Sequence, residues 1–291
     1  MKLATPPISE ADLMLNADGS IYHLNVLPEE IADTIITVGD PDRVDDVSRY
    51  FDHIEFKKAK REFITHTGTI GKKRVTVVST GIGTDNIDIV LNELDALANI
   101  DFTTRLPKKN LKSLEIIRIG TSGAIQEDIP VDSIVVSEYA LGLDTIMQFY
   151  IQNITDDEQY ILQEIKKHFH LYPELSPYMS TADHGLLKRI GHDLLRGITI
   201  TAPGFYSPQG RQVRAQNAIP NLIHLLQTFH VGEHRFSNLE METAGIYGLS
   251  AIFGHRALSV NAIIATRINK MISKEPQAII DKAIKLVLER L

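Results

Sequence analysis

From about residue 34 to the end of the chain, short apolar runs alternate with longer stretches whose apolar positions recur every three to four residues. Runs mostly rich in Ile and Val, most of them ending in Gly, Ser or Thr, read as strands buried on both faces. They predict strands over Thr34–Val38, Arg74–Ser79, Glu115–Gly120, Ser133–Ser137, Ile198–Thr201 and Ala257–Ala265. The longer stretches predict amphipathic helices. In the last, Ile280, Ala283, Ile284, Val287, Leu288 and Leu291 follow Pro276 at helical spacing; Val90, Leu91, Leu94 and Leu97 do the same within Asp88–Ala98, and residues 157–168 make a more polar third. Strand and helix in alternation is the rhythm of an α/β sheet. The polar stretch Asp101–Ser113, with Pro107, Lys108, Lys109 and Asn110, reads as a surface loop inserted between helix and strand. With no repeat, low-complexity tract or linker, residues 1–291 are expected to form one domain.

Composition narrows the function. Apolar residues make up 43% and charged residues 23%, which suits a sizeable core. A formal charge of -7 argues against general nucleic-acid binding, which needs a basic face to displace counterions. The chain has no cysteine, which excludes disulfides, thiolate nucleophiles, iron-sulfur clusters and cysteine zinc sites. Its first twenty residues carry Glu10, Asp12 and Asp18 and no apolar run behind a basic start, and no uncharged apolar run approaches the ~20 residues of a membrane span. A soluble cytoplasmic protein that binds neither membrane nor nucleic acid is the expectation.

Four segments carry candidate chemistry. Gly39-Asp40-Pro41-Asp42-Arg43 follows a predicted strand; it serves either as a plain helix start, with Asp40 as cap, or as a set of backbone N–H groups that meet an anion beside Arg43. Arg118 lies inside the apolar strand Ile116-Ile117-Arg118-Ile119 and precedes Gly120-Thr121-Ser122-Gly123. A buried arginine requires an anionic partner, either a structural carboxylate or a ligand at the C-terminal edge of the sheet, where open α/β folds bind them. In Phe205-Tyr206-Ser207-Pro208-Gln209-Gly210-Arg211, the donor and acceptor of Gln209 and the fork of Arg211 match a base edge with two carbonyls and an imide N–H, unless the loop is merely solvated. In Asn238-Leu239-Glu240-Met241-Glu242-Thr243, extended backbone would put Glu240 and Glu242 on one face, suited to vicinal hydroxyls; alternatively Glu242 complements a helix N-terminus. Ser79-Thr80-Gly81-Ile82-Gly83 is a further small-residue turn, and His168 and His170 read as surface residues without metal-ligand spacing.

In this order the four segments resemble those of the nucleoside phosphorylase-I superfamily, and within it the uridine-specific branch, marked by Gln209-Gly210-Arg211 after an aromatic. The similarity runs from about Ile21 to Leu291. It implies a three-layer αβα fold around a central mixed twisted sheet, assembled as a homo-oligomer, either dimers or a hexamer of dimers, with sites shared between subunits. By motif, Gly39, Arg43, Arg118 and Thr121 would hold phosphate, and Arg61 would reach a neighbour's phosphate. Phe205, Gln209 and Arg211 would hold uracil; Thr121, Met241 and Glu242 would hold ribose, and His23 would approach the 5′-hydroxyl of a neighbour's substrate. Catalysis would rest on Arg118, Gln209, Arg211 and Glu242. Arg267 stands where purine-specific relatives place an aspartate.

The implied reaction is reversible phosphorolysis of uridine to uracil and α-ribose 1-phosphate without a covalent enzyme intermediate. Phosphate is then a co-substrate, and no cofactor or metal is expected. Some relatives bind potassium at a dimer interface through the glutamate matching Glu62 and a serine, but Asn86 occupies the serine's place, which speaks against the ion. The alternatives are another phosphorylase or a nucleosidase of the superfamily, or a nucleoside-binding protein without catalysis. Residues 1–20 and the loop 101–113 extend beyond the common pattern.

Overall fold

In a computed structural model, which describes residues 6–291, all six predicted strands are present and five extend beyond their predicted limits. In chain order the elements are β1 (Thr34–Val38), α1 (Asp42–Ser48), β2 (His53–Lys60), β3 (Phe63–Ile70), β4 (Lys73–Ser79), α2 (Thr84–Asn99), β5 (Ile100–Asp101), β6 (Leu106–Pro107), β7 (Glu115–Ala124) and β8 (Ile134–Gly142). There follow α3 (Asp156–His168), β9 (Tyr178–Thr181), α4 (His184–Ile190), β10 (Leu195–Thr201), α5 (Leu222–Gln227), β11 (His230–Val231), β12 (His234–Glu240), α6 (Thr243–Phe253), β13 (Arg256–Thr266) and α7 (Pro276–Glu289). Among the described residues no helix is long and apolar enough to cross a membrane.

The sheet is mixed, in the order β11-β12-β10-β8-β13-β7-β1-β4-β3-β2, with helices packed on it in the expected three-layer αβα arrangement. Its central pairs β7–β1, β1–β4, β13–β7 and β8–β10 are parallel, whereas β13 meets β8 antiparallel. Strand β7 is long enough to pair with β13 along its length and with β12 at its end, so β7, β13, β8, β10 and β12 close into a ring of five strands. Gly120-Thr121-Ser122-Gly123 therefore continues β7 past the predicted end of the strand at Gly120.

Helix α7 buries the stripe seen in the sequence, Ile280, Ala283, Ile284 and Val287, against β7 and β13. A fully buried Ile or Val contributes roughly 1.5–3 kcal/mol, so this face anchors the C-terminus firmly. Helix α3 begins one residue before its predicted start, behind Thr155, whose hydroxyl accepts from the Glu158 amide while the Glu158 carboxylate accepts from the Thr155 amide. That reciprocal cap satisfies two N–H groups that a helix start leaves open.

The inserted loop 101–113 is more than a surface excursion. It contains the small hairpin β5–β6, and Arg105 at its turn donates to the carbonyls of Ile8 (2.7 Å), Ser9 (2.9 Å) and Leu13. The N-terminal extension and the insertion thus hold one another. His168 is also not a free surface residue: it is half-buried, its Nε2 lies 2.8 Å from the Leu225 carbonyl, and its ring packs edge-on against Phe229.

Candidate active site

A cleft of about 1420 Å³ opens at the C-terminal ends of the parallel strands. Gly39, Arg43, Arg118, Thr121, Phe205, Gln209, Arg211, Met241 and Glu242, drawn from segments up to two hundred residues apart, all line it. Arg118 and Arg211 therefore face one cavity. Two expected residues do not line it. Arg61 is exposed in the β2–β3 turn with φ of 55°, and His23 is half-buried with Nδ1 2.7 Å from Oε1 of Glu93.

Arg118 lines the cleft and meets structural carboxylates there. Its guanidinium is buried, and Nη2 lies 2.6 Å from Oε2 of Glu242 and 3.1 Å from Oε2 of Glu240. Burial alone would lower its pKa, but the two carboxylates outweigh it and hold the group charged. The side chain folds back over Gly120, where a Cβ would sit 1.8 Å from Nη1; only glycine fits two positions beyond the arginine on the same strand face. Arg43 differs. It has no hydrogen-bonded partner among the described residues, and burial, together with the like charge of Arg118, pushes its pKa down despite the opposing Asp40. Two guanidinium groups, one of them unpartnered, are a fitting host for an anion.

The two carboxylates reach Arg118 by different routes than a continuous strand would give. Strand β12 ends at Glu240, and Glu242 is already the N-cap of α6. Glu240 accepts from the Thr201 hydroxyl (2.6 Å) and from the amides of Glu242 and Thr243 (both 2.9 Å), so it pins the helix start. Glu242 turns to the cleft, with Oε1 accepting from the Gly83 amide at 2.9 Å. Gly83 has φ of 97°, which glycine adopts without strain. Burial raises the Glu242 pKa, Glu240 adds to the rise, and Arg118 opposes it.

A third group forms another wall. Gln209 is buried, and Gly210 follows it at φ of 67° with Ile223 packed where a side chain would project. Arg211 donates through Nη1 to Oε1 of Gln209 (2.6 Å) and to the Phe205 carbonyl (2.7 Å). Its guanidinium carbon lies 3.8 Å from the centre of the Phe205 ring, so the aromatic face expected to stack on a base is covered here by Arg211. Burial, with help from nearby Arg267, lowers the Arg211 pKa to about 10. Arg267 donates to the Gln209 carbonyl at 2.8 Å and thereby braces the loop from β13.

A sequence model of the phosphorylase superfamily matches residues 33–289. The chain belongs to that superfamily. It is 28% identical over 276 residues to a uridine phosphorylase of Thermococcus kodakarensis, covering 94% of this chain and 88% of the relative. It is also 30% identical over 239 residues to a DeoD-type purine nucleoside phosphorylase of Oceanobacillus iheyensis, covering 82% of this chain and 84% of that one. Among solved structures, a Trypanosoma brucei nucleoside phosphorylase described as showing uridine phosphorylase activity superposes with a TM-score of 0.88 at 31% identity, over 96% of this chain and 99% of that chain. A Vibrio fischeri uridine phosphorylase shares the fold, with a TM-score of 0.67 at 20% identity over 92% and 95% of the two chains.

Two glycines already present in the sequence motifs act by shaping space. Gly120 and Gly83 carry no chemistry of their own, and their signal is positional: a glycine two places after a buried arginine, and one just before a helix.

Proposed function

We propose that this phosphorylase takes uridine as its nucleoside and phosphate as its second substrate, releasing uracil and α-ribose 1-phosphate. The chain is a nucleoside phosphorylase, a pentosyltransferase by class; the identity of the base is the proposed part. What carries it is the wall made by Gln209, Arg211 and Arg267. It is an amide braced by two guanidinium groups, in the cleft that also holds Arg43, Arg118 and Glu242.

Displacing a base from C1′ separates charge, since the sugar becomes cationic and the pyrimidine leaves as an anion. Arg118 and Arg43 take up phosphate and set its nucleophilic oxygen beneath the ring, with Gly39 and Thr121 beside it. Glu242 accepts from the 2′- and 3′-hydroxyls, with Met241 against the sugar. Uracil lies on the third wall, against Phe205 once Arg211 turns from that ring to the base. Donors from Gln209 and Arg211 strengthen as negative charge grows on the uracil oxygens, which is preferential binding of the transition state. Charge-assisted hydrogen bonds contribute roughly 1.5–3 kcal/mol each, so four or five of them supply much of the ~8 kcal/mol behind a million-fold acceleration. A departing purine gains more from an acid that protonates N7. Arg267, always charged, cannot serve as that acid, which favours pyrimidines.

Arg61 and His23 belong to a neighbour's site in this reading, which makes the working enzyme a homo-oligomer. Uracil release from uridine that depends on added phosphate tests the proposal; turnover of inosine in preference to uridine contradicts the assigned base.

A further inference from the structure

The interior of the five-strand ring holds a second, polar ring. Nη1 of Arg118 on β7 donates to Oδ1 of Asn261 on β13 at 2.8 Å. Nδ2 of Asn261 donates to the Ser137 hydroxyl on β8 at 3.0 Å, and Ser137 shares a 2.5 Å contact with the Thr199 hydroxyl on β10. Thr199 donates to Oδ1 of Asn238 on β12 at 2.9 Å, and Nδ2 of Asn238 donates to the Ser122 hydroxyl, back on β7, at 2.9 Å. Because Thr199 gives its hydrogen to Asn238, Ser137 must donate to Thr199. Every donor then points the same way around the barrel, starting from the charged guanidinium. Hydrogen bonds in such a one-way chain polarise and strengthen one another. All of these side chains are buried, and the two end residues, Arg118 and Ser122, line the cleft.

From this arrangement we propose that Asn261 is a positioning residue for the phosphate-binding arginine. It rests on the reading of Arg118 given above. The guanidinium is already committed through Nη2 to Glu240 and Glu242. Without Asn261, nothing but those carboxylates and the Ser259 hydroxyl, 3.4 Å from Nη1, would fix its rotation. Asn261 stands directly across from Gly120 in the β7–β13 register, so the missing side chain at 120 lets the guanidinium lie against the Asn261 amide. With Nη1 and Nη2 so held, Nε, which has no partner among the described residues, is presented in a constant orientation. The ring fixes which end of the amide faces Arg118: its nitrogen is bonded to Ser137 and its oxygen is thereby turned to the guanidinium. An apolar residue at 261 would fill the barrel but leave Arg118 free to turn toward its carboxylates.

The test is steady-state kinetics of Asn261→Leu with phosphate and with uridine varied separately, together with the uridine dissociation constant measured without phosphate. Loss of a hydrogen bond to a charged group predicts a fall in kcat/KM for phosphate of about ten- to a hundredfold, with the uridine dissociation constant within about twofold of wild type. Thr67→Val serves as the control, since it removes a buried hydroxyl bonded to the Glu30 carbonyl and Thr76 far from the cleft. It should lower stability and leave the phosphate constants unchanged. Should Asn261→Leu not fold, Asn261→Ala carries the same prediction. Unchanged kcat/KM for phosphate in a folded variant, or an equal loss in Thr67→Val, overturns the positioning role while the phosphate reading stands. Wild-type turnover that ignores phosphate overturns that reading, and the positioning role falls with it.

Discussion

Nη2 of Arg118 and Oε2 of Glu242 lie 2.6 Å apart at the wall of the cleft, both side chains buried. The group proposed to hold phosphate and the group proposed to hold ribose are therefore each other's counter-charge. Arg118→Ala should abolish phosphate-dependent turnover and also cost about 3–5 kcal/mol of stability, because it strands two buried carboxylates. Adding Glu242→Gln should restore part of that stability without restoring turnover. A chemical denaturation cycle on the four proteins measures the coupling, and strictly additive losses would show that the pair is not linked.

Gln209→Ala should lower kcat for uridine at least about tenfold in addition to raising KM, since its bonds strengthen as the base leaves. A rise in KM alone would mean that the contact is made equally in substrate and transition state.

Arg267→Ala should lower kcat/KM for uridine about tenfold by freeing the Gln209 backbone, with the KM for phosphate unchanged. Varying each substrate in turn distinguishes this from a general loss of the site, which would move both constants.

Much of this architecture was legible in the chain. The runs of β1, β7, β10 and β13 stood out because strands covered on both faces are rich in Ile and Val. Strand β2 did not, since it is an edge strand whose residues alternate between exposed and half-buried and include Lys57, Lys58 and Lys60, which guard an open edge. Strand β12 and the start of α6 hid the turn at Glu240, because capping by a side chain is a local contest that periodicity does not report. The expected cleft residues were readable as motifs. What was not readable was their mutual commitment: Arg211 lying on Phe205, Arg118 bonded to Glu242, and Asn261 bonded to Arg118. Such pairings depend on strand order, which a single sequence leaves open.

At the opposite end of the sheet, Glu115 is surrounded by Lys73 (3.3 Å), Arg189 (2.7 Å) and Arg256 (2.5 Å). Burial would raise its pKa, but Arg189 and Lys73 prevail and lower it to about 2. A carboxylate whose pKa is depressed on folding stabilises the protein above its unfolded value of about 4.3 and loses that contribution as pH falls toward the folded value. Glu115→Gln should thus cost about 2 kcal/mol near neutral pH. That is less than the full shift implies, because the three cations are a third or more exposed and screened. The difference from wild type should shrink as pH drops from about 5 toward 2, which denaturation at several pH values would reveal. A difference that stays constant would exclude this linkage.

The most direct measurement follows base release from uridine, thymidine and inosine, each with and without phosphate. One cleft in which Arg43 and Arg118 seat phosphate while Gln209 and Arg211 draw off uracil predicts uracil from uridine only when phosphate is present, with α-ribose 1-phosphate as the other product and inosine essentially untouched. Equal uracil release in phosphate-free buffer, or faster cleavage of inosine, would contradict it.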